Sequence, residues 1–147
     1  TQKYQPKKAV ATISNAMDVG SPSNFVRMKE LFGDNHIDFT NQISGAFYTD
    51  EETREEMRLV YKKDNYICDP HGAIGHRGLR EYLLQHSGMQ GFFLETAHPA
   101  KFENTVNETL NIKVEIPERL AAVANRTKVS TFLRPNYVDF KEYLMSR

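Results

Sequence analysis

Residues 91–101 constrain the fold more than any other stretch, and they read G-F-F-L-E-T-A-H-P-A-K. Residues 92–94 form an apolar run without polar alternation, which is typical of strands covered on both faces in parallel α/β sheets. His98 is suited to cap a helix, and Pro99 fits the first helical position, where its missing N–H costs nothing. Thr96 is therefore predicted to lie between a buried strand and a helix N-terminus, where open α/β sheets bind ligands and anions. An ordinary turn between strand and helix is the alternative interpretation.

The length and charge of the chain exclude several classes of protein. The 147 residues suffice for one ordinary domain, and 19 basic side chains balance 19 acidic ones. The chain therefore has no net positive charge that would attract nucleic acid or an anionic membrane. No apolar stretch is long enough to span a bilayer. Cys68 is the only cysteine, which rules out an internal disulfide and indicates a reducing compartment. These features predict a cytoplasmic α/β protein with neither a nucleic-acid nor a membrane partner.

The order of helix and strand signals predicts few strands flanked by several helices. Residues 1–10 lack an apolar period and are predicted to lead into the fold, followed by a loop of small polar residues at 12–20. Residues 1–147 are accordingly predicted to be one domain or a partial domain. Helices are expected at 21–32, 50–63, 70–85, 99–110, 117–124 and 135–144, a second strand at 43–48, and an irregular stretch at 34–41.

Two helix starts carry strong capping signals. Thr49 and Glu52 match a capping box, in which each side chain satisfies a backbone N–H of the other. Asp69 followed by Pro70 repeats the pattern of a cap and an N-terminal proline. The helix that follows contains Gly72, Gly75 and Gly78. Since each glycine costs about 0.8–1 kcal/mol against alanine in a helix, we expect a backbone or a ligand to approach that face closely.

The candidates for metal binding or nucleophilic catalysis are weak. Among Cys68, Asp69, His71 and His76, the two histidines are five residues apart and do not share a helical face, so no metal site is predicted. Cys68 lacks any signature of a Cys–His nucleophile and is interpreted as a small buried residue. Lys101 in the first turn of a helix opposes the helix dipole, so it is either simply solvated or lies near a bound anion.

Four segments of the chain resemble the threonine synthase family, in its bacterial and fungal branch. They occur in the family's order and spacing across nearly the whole chain. The segments are T-I-S-N-A-M-D-V-G-S-P-S-N-F-V-R at 12–27, D-E-E-T at 50–53, D-P-H-G-A-I-G-H-R-G-L at 69–79 and F-L-E-T-A-H-P-A-K-F at 93–102.

The resemblance implies part of a pyridoxal-phosphate (PLP) enzyme of fold type II, the tryptophan synthase β type. Such an enzyme converts O-phosphohomoserine and water into threonine and phosphate. The family's Schiff-base lysine lies in an upstream F-K-D motif, and its phosphate-cradling glycine loop is also upstream. Neither occurs in this sequence. The chain is thus expected to be the C-terminal portion, with no catalytic lysine of its own, inactive alone and partnered by the N-terminal part of the same enzyme.

The resemblance also implies roles for particular residues. Thr96 resembles the hydroxyl residue that hydrogen-bonds the cofactor's pyridine nitrogen. The segment containing Asp69, His71 and Gly72 resembles the one that lines another edge of the cofactor. The residues implied on the substrate side are Ser14, Asn15 and Asp18, in a loop near the entrance and without assigned roles, together with His98 and Lys101.

A function of a different class stays open at this point. A free-standing domain could keep the shape of the fold without the lysine and act only in binding or regulation. An upstream F-K-D motif and a phosphate-cradling loop in the full reading frame would favour the enzyme over this alternative.

Overall fold

The structure, a computed structural model, describes residues 4–33 and 36–147. Within these ranges the regular elements are all helical, and no strand occurs. The elements are α1 (Phe25–Phe32), α2 (His36–Gln42), α3 (Asp50–Asp64), α4 (Pro70–Gln85), a 3₁₀-helix (Pro99–Phe102), α5 (Glu103–Leu110), α6 (Glu118–Ala124) and α7 (Tyr137–Met145).

The chain divides into two compact units. The first, Thr1–Glu115, contains α1 to α5 and the 3₁₀-helix, and the second, Ile116–Arg147, contains α6 and α7. In the second unit, Asn136 caps α7 by accepting a hydrogen bond from the backbone N–H of Asp139 at 2.9 Å. The candidate site described below lies entirely in the first unit.

Helix α3 begins and ends where its sequence signals place it. The Thr49 hydroxyl accepts from the Glu52 N–H at 3.3 Å, and the Glu52 carboxylate accepts from the Thr49 N–H at 2.8 Å. This confirms the predicted capping box. The helix ends at Asn65, which adopts the left-handed conformation and donates its N–H to the Tyr61 carbonyl at 3.0 Å.

Helix α4 matches its predicted bounds, 70–85. Asp69 caps it by accepting the His71 N–H at 2.8 Å, and Pro70 occupies the first turn. The amino-terminal turn is the buried part of this helix, since Pro70, Gly72 and Ala73 are its buried residues. The start of α4 therefore lies inside the unit, while the rest of the helix is at least partly exposed.

The apolar core is small and joins three helices with two connecting segments. Helix α3 packs against both α4 and α5. Ile67, Ala100, Phe102 and Leu110 pack around the core as partly buried neighbours. Among the described residues, the buried apolar side chains are Met57, Val60, Cys68, Ala73, Val106 and Val114.

The three glycines of α4 differ in what approaches them. A Cβ at Gly72 would overlap the carboxylate of Glu95, so a close approach is confirmed there. At Gly75 and Gly78 the nearest atoms would be 3.6 Å and 3.9 Å away, which is ordinary contact. The close neighbour at Gly72 is a side chain of the same chain, and not the backbone or ligand that the sequence led us to expect.

The two predicted strands are wrong for this structure. Neither 43–48 nor 92–94 forms a strand, and Phe92 and Leu94 are 84% and 69% exposed. A strand exists only through hydrogen bonds to a neighbouring strand, and no described segment pairs with either stretch. The α/β class is therefore not confirmed, since the described residues are helical.

Two further expectations need adjustment. The stretch 34–41 was predicted to be irregular, but His36–Gln42 is helical, while residues 34 and 35 lie outside the described ranges. The single helix predicted over 99–110 is a 3₁₀ turn, Pro99–Phe102, followed by α5. None of the described helices is long and apolar enough to cross a membrane.

Candidate functional site

The first turn of α4 is the point where the predicted site segments meet. Asp69 is fully buried, and its Oδ1 accepts both the backbone N–H of His71 at 2.8 Å and the ring Nδ1 of His71 at 2.6 Å. The other ring nitrogen, Nε2, accepts the N–H of Ala16 at 3.4 Å. The proton of a neutral His71 ring therefore resides on Nδ1, and Asp69 fixes the orientation of the ring.

The loop at 12–18 is held together by Asp18. Its Oδ1 accepts the Thr12 hydroxyl at 2.8 Å, and its Oδ2 accepts the Thr12 N–H at 3.3 Å. The Ser14 hydroxyl lies 3.0 Å from the Thr12 hydroxyl, and Asn15 is exposed. Asp18 thus organises the loop, with the Ser14 hydroxyl bound to Thr12 and the Asn15 side chain exposed.

Two hydrogen bonds attach this loop to the helices. The N–H of Ile13 donates to Asp50 Oδ1 at the start of α3, at 3.1 Å. The N–H of Ala16 donates to His71 at the start of α4. The loop that the resemblance implies near the substrate entrance therefore lies against the segment that the resemblance implies beside the cofactor.

Glu95 joins the 93–96 segment to the same turn, and the sequence analysis missed it. The Asp69 N–H donates to Glu95 Oε1 at 2.9 Å, and the Glu95 carboxylate fills the space left by the absent side chain of Gly72. Burial raises the pKa of Glu95 to about 7, and the adjacent Asp69 carboxylate adds to the rise. Gly72 at the buried start of α4 was the available sequence signal, because it indicated a close neighbour, although it did not identify which residue that neighbour is.

The remaining predicted residues lie on the chain just after Glu95. Thr96 is exposed, and its hydroxyl makes no hydrogen bond within the described part of the chain. His98 caps the 3₁₀-helix by accepting the Ala100 N–H on Nδ1 at 3.1 Å. Lys101 is exposed on that helix and forms no ion pair with any described residue.

The structure brings most, though not all, of the predicted residues together. Hydrogen bonds connect the loop of Ser14 and Asp18 with Asp69 and His71, and Glu95 brings Thr96 to the same turn. His98 and Lys101 have no hydrogen bond to that turn among the described residues. The 3₁₀-helix contacts this turn through Phe102, whose ring centroid is 4.9 Å from that of His71.

A second polar cluster holds α3 against α4. Glu56 is buried, and its carboxylate accepts from His76 at 2.7 Å and from Arg80 at 2.7 and 3.0 Å. Burial tends to raise the pKa of Glu56, but the hydrogen bonds from Arg80 and His76 outweigh it and lower the pKa. Glu56 lies on the same helical face as Thr53 and Val60, which was the sequence signal for its burial.

The chemistry considered at Cys68 is not supported by its surroundings. The side chain is buried, and desolvation raises the pKa of the thiol to about 12. The thiolate that a nucleophile requires is therefore scarce at neutral pH. The described residues also contain no group of three or more His, Cys, Asp or Glu placed to hold a metal ion.

The chain matches one protein family and relatives of that family. A family model described as "Threonine synthase, C-terminal" matches residues 72–144. Threonine synthase of Haemophilus influenzae is 38% identical over 142 residues, which is 97% of this chain and 32% of that protein. Threonine synthase of Escherichia coli is 36% identical over 144 residues, 98% of this chain and 33% of that protein.

Solved structures give the same result. The crystal structure of the Escherichia coli threonine synthase matches 98% of this chain and 33% of that chain, with a TM-score of 0.79 at 35% identity. The structure of PLP-bound threonine synthase from Brucella melitensis matches 97% of this chain and 36% of that chain, with a TM-score of 0.63 at 27% identity. The chain therefore spans about a third of the relatives it matches, and its backbone fits a fragment of their fold. It belongs to the threonine synthase family and corresponds to the C-terminal portion of these enzymes.

Proposed function

We propose that this chain is the C-terminal part of a PLP-dependent enzyme that forms threonine and phosphate from O-phosphohomoserine and water in the cytoplasm. The observation that carries the proposal is the convergence at the start of α4. Three of the four segments that resemble the family supply Asp69, His71 and Gly72, the loop of Ser14 and Asp18, and Glu95 with Thr96. The similarity to a PLP-bound threonine synthase supports the choice of cofactor.

The residues at this turn fit such a cofactor. The hydroxyl of Thr96 is exposed and uncommitted among the described residues, so it is available to donate to a pyridine nitrogen. Asp69 and His71 fix a polar surface at this turn, and Gly72 leaves the room that Glu95 fills beside Thr96. When bound, PLP supplies an electron-withdrawing ring that stabilises negative charge on the amino-acid substrate.

A neutral hydroxyl at that nitrogen has a chemical consequence. A carboxylate would hold the ring nitrogen in its protonated form, because an anion stabilises the added positive charge. Thr96 donates a hydrogen bond without favouring that proton. In our proposal this residue keeps the ring a moderate electron sink, which suits a reaction that must return electrons to expel phosphate.

The substrate side is assigned to the loop and the 3₁₀-helix. Ser14 and Asn15 offer a hydroxyl and an amide at the rim of the site, with Asp18 holding the loop in place. Lys101 offers a cation with no ion-pair partner in the described ranges, suited to the substrate phosphate, and His98 lies three residues before it. The Schiff-base lysine and the cradle for the cofactor phosphate are assigned to the N-terminal part of the enzyme.

A chimera tests this function. The matching third of the Escherichia coli enzyme is replaced by this chain, and threonine and phosphate formation from O-phosphohomoserine is measured. The proposal predicts turnover by the chimera and none by the truncated enzyme alone. A folded chimera that retains PLP yet forms neither product would reject the proposal and favour a non-catalytic domain.

A further inference from the structure

Two buried carboxylate oxygens at the start of α4 lack a hydrogen-bond donor, and they belong to the carboxyl groups of Asp69 and Glu95, which lie within hydrogen-bonding reach of each other. Among the described residues, Oδ2 of Asp69 and Oε2 of Glu95 are the buried side-chain oxygens that lack a partner. The other oxygen of each group is satisfied, since Oδ1 accepts from His71 and Oε1 accepts the N–H of Asp69. Leaving a buried acceptor unpaired is costly, and leaving two ionised acceptors side by side is more so.

One proton satisfies both oxygens. We propose that Glu95 is a positioning residue whose protonated carboxyl group donates a hydrogen bond from Oε2 to Oδ2 of Asp69 and so fastens residues 93–96 to the first turn of α4. With that proton in place, each carboxyl group of the pair has both oxygens in hydrogen bonds. The Asp69 carboxylate then bridges His71 on one side and Glu95 on the other.

The surroundings place the proton on Glu95 and the charge on Asp69. Asp69 accepts two hydrogen bonds from His71, one from the backbone and one from the ring, and both stabilise an ionised carboxylate. Glu95 has no ion-pair partner among the described residues. Among the described residues, the titratable groups that interact with Glu95 are Asp69, Tyr66 and Cys68, and none of them supplies a positive charge. The nearby His71 hydrogen-bonds to Asp69.

Gly72 makes the arrangement possible. The Glu95 carboxylate occupies the position that any Cβ at Gly72 would take, so the protonated acid lies directly on the turn. The chain continues into Thr96, whose hydroxyl we assign to the cofactor. The positioning of Thr96 by Glu95 rests on that proposed function, whereas the shared proton does not.

The titration of Glu95 can be followed directly in the full 147-residue chain. The chain is labelled with ¹³C at the glutamate carboxyl carbons, and the resonance that disappears in Glu95→Gln is assigned to Glu95. We expect it to titrate near pH 7, whereas an exposed glutamate titrates near about pH 4.3. Asp69→Asn should lower the midpoint, because the neighbouring anion that favours the proton is gone. Titration of Glu95 together with the exposed glutamates would overturn the proposal.

Matched variants separate positioning from mere packing. In the parent, protection of the Asp69 N–H from hydrogen exchange should decline between pH 5 and 8 as Glu95 loses its proton. Glu95→Gln replaces the acid by an amide that donates at every pH, so this protection should persist and should not decline in that range. Glu95→Ala should abolish that protection, and Glu108→Gln on the exposed face of α5 should behave like the parent. Protection that declines with pH in Glu95→Gln as in the parent would contradict a role for this proton. These readouts need no cofactor, so a chimera without threonine formation but with normal titration would reject the proposed function alone.

Discussion

Gly72 shows how far a single position can be read from sequence. Its cost in a helix predicts a close neighbour, and the structure supplies Glu95. The identity of that neighbour could not be predicted, because residues 72 and 95 are joined by tertiary folding and no local spacing relates them. Asp69 was predictable as a cap, since the cap acts within three residues, whereas its contact with Glu95 was not.

Substitution of Gly72 tests that reading. Gly72→Ala should lower the free energy of unfolding, because displacing Glu95 breaks its hydrogen bond with Asp69 and costs about 1–3 kcal/mol. The gain in helix propensity returns at most about 1 kcal/mol. Gly78→Ala is the matched control and should be stabilising, because the nearest atom to its Cβ is 3.9 Å away. Urea unfolding measures the free energy of unfolding of both variants, and equal stabilisation of the two would contradict the close contact of the Glu95 carboxylate with Gly72.

The raised pKa of Glu95 makes stability depend on pH. The folded chain holds this proton up to about pH 7, while the unfolded chain releases it near the ordinary glutamate pKa of 4.5. Between these values the folded state binds more protons, so the free energy of unfolding falls as pH rises from about 4.5 to 7.

The pH dependence is measured by urea unfolding at several pH values. In Glu95→Gln the free energy of unfolding should no longer fall between pH 4.5 and 7. The control variant Glu108→Gln should keep the pH dependence of the parent. Glu52, Glu56 and Glu81 have lowered pKa values and act in the opposite sense below about pH 4.5, so they do not mask it. A stability that is flat or rising between pH 5 and 7 would contradict the account.

At the scale of elements, local signals located helices well and strands badly. The caps at Thr49 and Asp69 act within a few residues along the chain, so the starts of α3 and α4 could be predicted from the sequence. A strand depends on a partner elsewhere, and the apolar run at 92–94 finds none among the described residues. The α/β class is therefore not confirmed, whereas the family resemblance is.

The packing of α3 on α4 depends on Glu56. Glu56→Ala should lower the free energy of unfolding by about 1–3 kcal/mol, because it leaves the donors of His76 and Arg80 without their acceptor. Glu51→Ala breaks only the exposed pair with Arg58 and should cost less than about 1 kcal/mol. Thermal and urea unfolding compare the two, and similar small losses would show that Glu56 does not hold the helices together.

For the whole molecule, the amount of exposed apolar surface matches the short length of the chain relative to its relatives. In the first unit Phe47 is 92% exposed and Phe92 is 84% exposed, and in the second unit Val129 and Phe132 are each 95% exposed. Such side chains normally find cover in a larger protein. In our account the N-terminal part of the enzyme supplies it.

The isolated chain should therefore self-associate and bind a hydrophobic dye. Phe92→Ser should reduce both without lowering the free energy of unfolding, because the ring is already in solvent. Val106→Ser is the contrast, since this buried residue belongs to the core and its substitution should destabilise the fold. Sedimentation and dye fluorescence provide the measurements, and a monomeric parent that binds no dye would speak against a missing partner.

The most direct test of the central claim is the affinity for PLP of the chimera carrying Thr96→Val. Loss of one hydrogen bond of about 0.5–1.5 kcal/mol should weaken PLP binding roughly two- to twelve-fold. Thr96→Ser, which keeps the hydroxyl, should bind PLP like the parent, as should the control Thr105→Val on α5. If Thr96→Val retains PLP as tightly as the parent, Thr96 does not contact the cofactor and the proposed site is wrong.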